Sequence, residues 1–188
     1  GSGWEQSYAA TVAASQMLML IEYASFNMQS CIGDGATHKT DDGSSNMAEP
    51  TGVTVNLGNA SGTASNANGI QFVTYRGEEN FWGNIWWWVD GLNENMDATT
   101  HEGTIYIADH AFTDDTGSGA YEDAGIIAVF GNGYVSAFCY SEKYDWLFIL
   151  GELIGNIALP VGDYHWNGKI GWRVALLGAS WNHGLNAG

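Results

Sequence analysis

The chain has 188 residues, 45% of them hydrophobic and 13% aromatic, enough for one domain to bury most of its apolar surface. Five basic side chains (Lys39, Arg76, Lys143, Lys169 and Arg173) stand against 21 acidic ones, for a formal net charge of −16. That balance argues against nucleic acid as a partner, and the apolar runs Met17–Ile21 and Trp146–Leu150 fall far short of the ~20 residues that membrane insertion needs.

In chain order, Ser2-Gly3-Trp4-Glu5 has the form of a helix capping box, with an N-cap serine and a glutamate three residues later. The Ala/Met/Leu-rich stretch behind it predicts one long helix up to Ser30. Trp4, Tyr8, Val12, Ser15, Met19 and Phe26 lie on one face, and Gly33 and Gly35 end it. Residues 33–69 read as loop, interrupted by a short strand over the alternating Val53–Leu57. Short strands are predicted beyond it at Phe72–Tyr75, Ile85–Val89, Thr104–Ala108, Ile126–Val129, Tyr134–Tyr140, Trp146–Ile149 and Trp172–Leu177. Gly131-Asn132-Gly133 is predicted as a hairpin turn. A long helix followed by many short strands indicates an α+β fold, read as a single domain over residues 1–188.

Motifs for catalysis or metal binding are sparse. No two of His38, His101, His110, His165 and His183 have the i, i+4 or Cys/His spacing of a transition-metal site. Asp34, Asp41 and Asp42, or Asp114 and Asp115, are the carboxylates a calcium ion would use. Neither stretch matches the twelve-residue EF-hand loop, so solvated acidic loops are expected and no cofactor is assigned. Cys31 and Cys139 are too few for a disulfide framework and are expected as free thiols, with Cys139 buried in an apolar run. No nucleophile elbow or phosphate-cradling loop is present, and no pair among so many carboxylates singles itself out. These residues predict no enzyme.

The densest feature is Phe81-Trp82-Gly83-Asn84-Ile85-Trp86-Trp87-Trp88-Val89-Asp90-Gly91. A strand there would place Trp86 and Trp88 on one face and Trp87 on the other, and the expectation is a scaffold core rather than an exposed sugar platform.

Gly83-Asn84-Ile85-Trp86-Trp87-Trp88-Val89-Asp90 resembles the GN-(V/I)-W-x-W motif of the formylglycine-generating-enzyme branch of the C-type lectin fold. The longer Tyr75-Arg76-Gly77-Glu78-Glu79-Asn80-Phe81-Trp82-Gly83-Asn84 is similar to the form found in phage and gut-virus structural proteins, a group often diversified by a retroelement. Ile21–Asn27, Ile107–His110, Asp145–Phe148, Leu159–Tyr164 and Trp172–Trp181 carry further likeness along most of the chain. The resemblance implies a receptor-recognition domain of a virion or tail-tip protein, in a virion or at an extracellular or cell surface. Its partner would be a host-surface protein or glycan, and a homotrimer is the assembly it suggests. The family's reactive cysteines lie late in the domain, where Cys31 and Cys139 do not match, so oxidase activity is not carried over. A purely structural virion component, or an enzyme of the formylglycine-generating type, is the alternative. By position the resemblance assigns Ser180, Asn182, His183, Leu185 and Asn186 to ligand binding, with Gly178, Trp181, Gly184, Ala187 and Gly188 as framework. The family continues past the matching Ala-Gly, which implies that the sequence is a portion of a longer protein.

Overall fold

The computed structural model describes residues 6–40, 47–157, 161 and 163–186. The expected capping box at Ser2–Glu5, together with Asp41, Asp42, Leu159, Pro160, Ala187 and Gly188, lies outside the described residues.

Two helices come first, α1 (Ala9–Tyr23) and α2 (Met28–Cys31), followed by strands β1 (Gly62–Ser65), β2 (Gln71–Tyr75) and β3 (Glu78–Glu79). The central strands are β4 (Trp87–Met96), β5 (Glu102–Ile107), β6 (Glu122–Val129), β7 (Gly131–Tyr134) and β8 (Ala137–Cys139). The last are β9 (Ile149–Glu152), β10 (Tyr164–Asn167) and β11 (Gly171–Leu177). The fold is mixed α/β, with mostly antiparallel strands and one long helix. Two compact units form, one of Gly1–Ile21 with Trp88–Ala175 and the other of Glu22–Trp87 with Leu176–Gly188.

The first unit holds a four-stranded sheet in the order β11-β4-β5-β6, a β7–β10 ribbon and a β8–β9 pair. Alternation explains its core. Ile105 and Ile107 on β5, and Ala124, Ile126 and Ala128 on β6, point to one face and close over Leu147 and Ile149. Each large aliphatic side chain buried there contributes about 1.5–3 kcal/mol. Gly103 leaves space for a charge, because a Cβ at that position would stand 2.0 Å from Glu94 Oε1. The Glu94 carboxylate accepts a 2.7 Å hydrogen bond from Asn167 Nδ2, which also donates to the Val129 carbonyl at 3.1 Å. Burial pushes Glu94 above the ordinary carboxylate pKa, while Asn167 and the charge of Arg173 partly offset it.

The second unit contains the antiparallel sheet β1-β2-β3. Phe72, Val73, Thr74 and Tyr75 on β2 are all buried, and the Tyr75 hydroxyl donates to Glu22 Oε2 at 3.0 Å. Arg76 Nη2 lies 3.0 Å from the same carboxylate.

Several expectations are corrected. The helix predicted to Ser30 stops at Tyr23: Ala24 turns to φ 51°, and Asn27 starts α2 by accepting the Ser30 N–H on Oδ1. Phe26 is therefore outside the helical stripe and exposed. The predicted strand at Val53–Leu57 is instead a 3₁₀ turn over Val55–Leu57, and Val55 faces solvent. The Glu79 carboxylate sets that turn, accepting from the Gly52 and Thr54 N–H groups and from Thr54 Oγ1. Burial raises the pKa of Glu79, but these bonds outweigh it and hold the group below its ordinary value. Gly131-Asn132-Gly133 belongs to a strand and not to a hairpin turn. Gly133 sits opposite His165, and a Cβ there would be 2.8 Å from the Leu153 carbonyl oxygen, so glycine marks a close backbone approach. Tyr134–Tyr140 is two strands, and the strand predicted at Trp146–Ile149 begins only at Ile149. Both cysteines are free thiols; Cys31 is exposed, and burial raises the Cys139 pKa.

Two groups of the β10 segment titrate in opposite senses. Burial raises Asp163 from 3.8 to about 7 and lowers His165 from 6.5 to about 4. From about pH 4 to 7 the folded chain keeps a proton on Asp163 that the unfolded chain has lost, so this group's contribution falls as pH rises. From about pH 4 to 6.5 the unfolded chain protonates a histidine that the folded chain keeps neutral, so that contribution rises. Relative to the wild type, Asp163→Asn should gain stability with rising pH across this window and His165→Gln should lose it. Urea unfolding at stepped pH reads both, and parallel profiles for the two variants would contradict the assignment.

Candidate functional site

The segment from Gly178 to Asn186, which carries every ligand-binding position the resemblance assigns, packs within the second unit on the Phe81–Trp87 loop. The loop comes first in building the site. Gly83 and Asn84 both take left-handed backbone conformations, with φ of 83° and 68°. At Gly83 a Cβ would stand 2.9 Å from the Ala36 nitrogen, so only glycine fits, whereas asparagine is among the side chains that tolerate φ > 0. Asn84 is 1% exposed; its N–H donates to the Ala36 carbonyl at 2.8 Å and its carbonyl accepts the Trp181 N–H at 3.1 Å. Its amide forms a reciprocal pair with the Glu49 backbone, accepting from the N–H at 2.8 Å and donating to the carbonyl at 2.9 Å.

The Gly178–Asn186 backbone is then tied down at several points. Gly83 N–H donates to the Gly178 carbonyl, Lys39 N–H to the Trp181 carbonyl at 2.7 Å, and Gly184 N–H to the Thr37 carbonyl at 2.9 Å. Buried Gln29 donates from Nε2 to the carbonyls of Asp34 and Gly184, at 3.0 and 3.1 Å. Gly178 has φ 86°, and a Cβ there would be 2.4 Å from Trp87 Nε1. The Lys39 ammonium meets Glu49 Oε1 at 2.6 Å, with both side chains nearly enclosed, and also reaches the Met47 carbonyl. Glu49 thus joins the lysine that holds Trp181 to the asparagine that holds the loop.

The indoles divide unevenly. Trp82, 2% exposed, is the buried one, and its Nε1 donates to the Gly33 carbonyl at 3.1 Å. Trp87 packs edge-on to Phe81 at 5.5 Å, Trp86 stands edge-on to His183 at 5.1 Å, and Trp88 is 54% exposed. The expected core role for Trp86, Trp87 and Trp88 is therefore corrected: the strand begins only at Trp87, and Trp82 in the preceding loop fills the interior.

The five assigned positions also separate. Ser180 is 6% exposed; its N–H donates to His183 Nδ1 at 3.1 Å, and its hydroxyl lies 2.9 Å from the same nitrogen. With Nδ1 accepting, the neutral ring of His183 carries its proton on Nε2. Burial lowers the His183 pKa. Ser180 and His183 thus form the turn from inside. Asn182 and Leu185 are exposed, and Asn186 is half-buried in a 3₁₀ turn over Gly184–Asn186. A polar cavity of about 240 Å³ in the same unit is lined by Asp34–Lys39 and Gly69–Gln71, with His38 Nε2 4.0 Å from Asp34 Oδ2 on its rim. Among the described residues, no three His, Cys, Asp or Glu side chains gather as a metal site, and no helix is long and apolar enough to cross a membrane.

The Asn84, Gln29 and Lys39–Glu49 ties were not foreseen from the sequence. Their one advance signal is the Gly-Asn pair, a known carrier of positive φ. Comparison of the chain with protein-family models, curated proteins and solved structures finds no match.

Asn84→Ala removes both side-chain bonds and leaves the Glu49 N–H and carbonyl without those partners. It should lower unfolding free energy by about 1–3 kcal/mol, read as a lower urea midpoint at unchanged slope. A midpoint equal to wild type would show that the tie contributes nothing.

Proposed function

We propose that the chain is a recognition domain with a C-type lectin-like fold of the formylglycine-generating-enzyme branch, part of a phage or gut-virus structural protein. In this reading it displays the Ser180–Asn186 turn to a protein or glycan on the host surface, in a virion or at a cell surface, and performs no catalysis. A homotrimer is part of the same proposal.

The Tyr75–Gly91 motif supports the family, and one observation carries the function. The turn is held through backbone atoms and the inward-facing Ser180 and His183, while Leu185 presents its side chain to solvent and the exposed Asn182 accepts a 3.2 Å hydrogen bond on Oδ1 from the Ser180 hydroxyl. A surface held chiefly through its backbone can change exposed residues while those backbone ties remain, as recognition loops on rigid scaffolds require. Binding is thereby concentrated on Asn182 and Leu185, with Asn186 beside them. Ser180 and His183 act as positioning residues.

The double variant Asn182→Ala/Leu185→Ala should lose the ability of the purified chain to compete with virions for host cells. Its stability should stay within about 0.5 kcal/mol of wild type, as expected for surface changes. Undiminished competition by the folded variant would favour a purely structural component.

A further inference from the structure

One carboxylate in the second unit receives an amine and an amide together. Lys39 Nζ stands 2.6 Å from Glu49 Oε1, and Asn66 Nδ2 donates to Glu49 Oε2 at 3.0 Å. Only 15% of the lysine side chain and 14% of the glutamate side chain are exposed. The other end of the Asn66 amide is engaged as well. Its Oδ1 accepts the N–H groups of Asn68 at 2.9 Å and Ile70 at 3.0 Å. The turn between β1 and β2 fixes this arrangement: Asn66 follows the last residue of β1, Ile70 precedes the first of β2, and the Asn66 N–H donates to the Ile70 carbonyl at 3.0 Å.

An ion pair accounts for Lys39 and Glu49, and an asparagine-capped turn accounts for Asn66 Oδ1. Neither requires the amide nitrogen to sit on the carboxylate that holds the amine. Acyl transfer requires the whole set. It needs a nucleophilic amine beside a base, a leaving nitrogen beside the same group, and donors on the carbonyl oxygen where negative charge develops.

We propose that Lys39 and Asn66 join in an intramolecular isopeptide bond, with Glu49 as the proton carrier. Glu49 takes a proton from Lys39 Nζ, and the freed lone pair forms the bond to Asn66 Cγ while the carbonyl pair moves onto Oδ1. The Asn68 and Ile70 N–H groups hold that oxygen. Glu49 passes its proton to Nδ2 and removes the second proton from Nζ. The Oδ1 pair then returns, the Cγ–Nδ2 bond breaks, and ammonia leaves with the last proton from Glu49 as ammonium. Glu49 ends ionised as it began, and no oxidant or co-reactant is needed. The flexible stem of Lys39 carries Nζ from the carboxylate to Cγ. The polar cavity lined by both Lys39 and Gly69–Gln71 gives the ammonia a way out. The product ties the Lys39 segment, whose N–H holds the Trp181 carbonyl, to the turn between β1 and β2. It constrains the unfolded chain as a disulfide does, in a molecule whose two cysteines are free. The bond does not depend on what the Ser180–Asn186 turn binds.

The test is mass spectrometry of the purified full chain, intact and after denaturation and cleavage before aspartate. Cleavage before Asp41 and Asp42 puts Lys39 and Asn66 on separate peptides. The wild type should weigh one ammonia less than its sequence, with those two peptides joined through Lys39 Nζ and Asn66 Cγ. Lys39→Arg keeps the charge, and Glu49→Gln keeps both partners of the bond. Each should have the full mass of its sequence and release separate peptides. The wild-type result stands even if a variant fails to fold. Wild-type peptides that separate, at full mass or one ammonia lighter, overturn the proposal. So does a join between Lys39 and Glu49 with loss of water, or a Lys39–Asn66 join that persists undiminished in Glu49→Gln.

Discussion

Asn84 commits both its backbone groups and its side-chain amide to three stretches of chain that are distant in sequence: Ala36, Glu49 and Trp181. It does so from a left-handed backbone conformation, next to a glycine whose φ is also positive. A buried amide with its bonds satisfied is worth modestly more than none, but an orphaned one is costly, so the three stretches must be present together or the residue becomes a liability. The Gly178–Asn186 segment inherits its shape from that requirement. Trp181 hangs on Asn84 and Lys39, Gly184 hangs on Thr37 and Gln29, and Lys39 returns to Glu49 and so to Asn84. The result is a closed circuit of backbone and buried side-chain bonds under a turn whose Leu185 side chain faces solvent.

The first unit solves a different problem, the placement of polar groups inside a small sheet. Glu94 lies within the sheet because Gly103 makes room for it and Asn167 answers it from β10. His165 on the same strand and Asp163 just before it are also buried, Asp163 kept protonated by burial and His165 kept neutral by it. Both avoid holding a buried charge, by opposite proton movements. Opposite His165, Gly133 permits the close approach of the Leu153 carbonyl, where a Cβ would stand 2.8 Å away.

Where local pattern and burial agree, the sequence is legible. Helix α1 follows its Val12 and Met19 stripe, and the strands at Phe72, Thr104 and Ile126 follow β-branched and alternating residues. The misreadings have a common cause in partners remote along the chain. Val53–Leu57 alternates like a strand, but Glu79 ties its backbone into a turn. Gly131–Gly133 looks like a turn, but β10 pairs with it. The tryptophan run was read as a core at Trp86, Trp87 and Trp88, yet its buried indole is Trp82 in the preceding loop, and Trp88 is exposed. In the candidate site, the resemblance named the turn as a unit. It gave no means of separating Ser180 and His183, which bond each other, from Asn182 and Leu185, which face outward.

Backbone hydrogen exchange in the native state tests the central claim most directly, because each tie under the turn is an identifiable amide. The N–H groups of Lys39, Asn84, Trp181 and Gly184 donate to Trp181, Ala36, Asn84 and Thr37, respectively. If these bonds act as one circuit, the four amides exchange slowly and with a common opening free energy, well above that of a frayed end. Exchange of Trp181 and Gly184 at the rate of an unstructured peptide, while Asn84 stays protected, would mean that the turn is not held and that its exposed side chains have no fixed support.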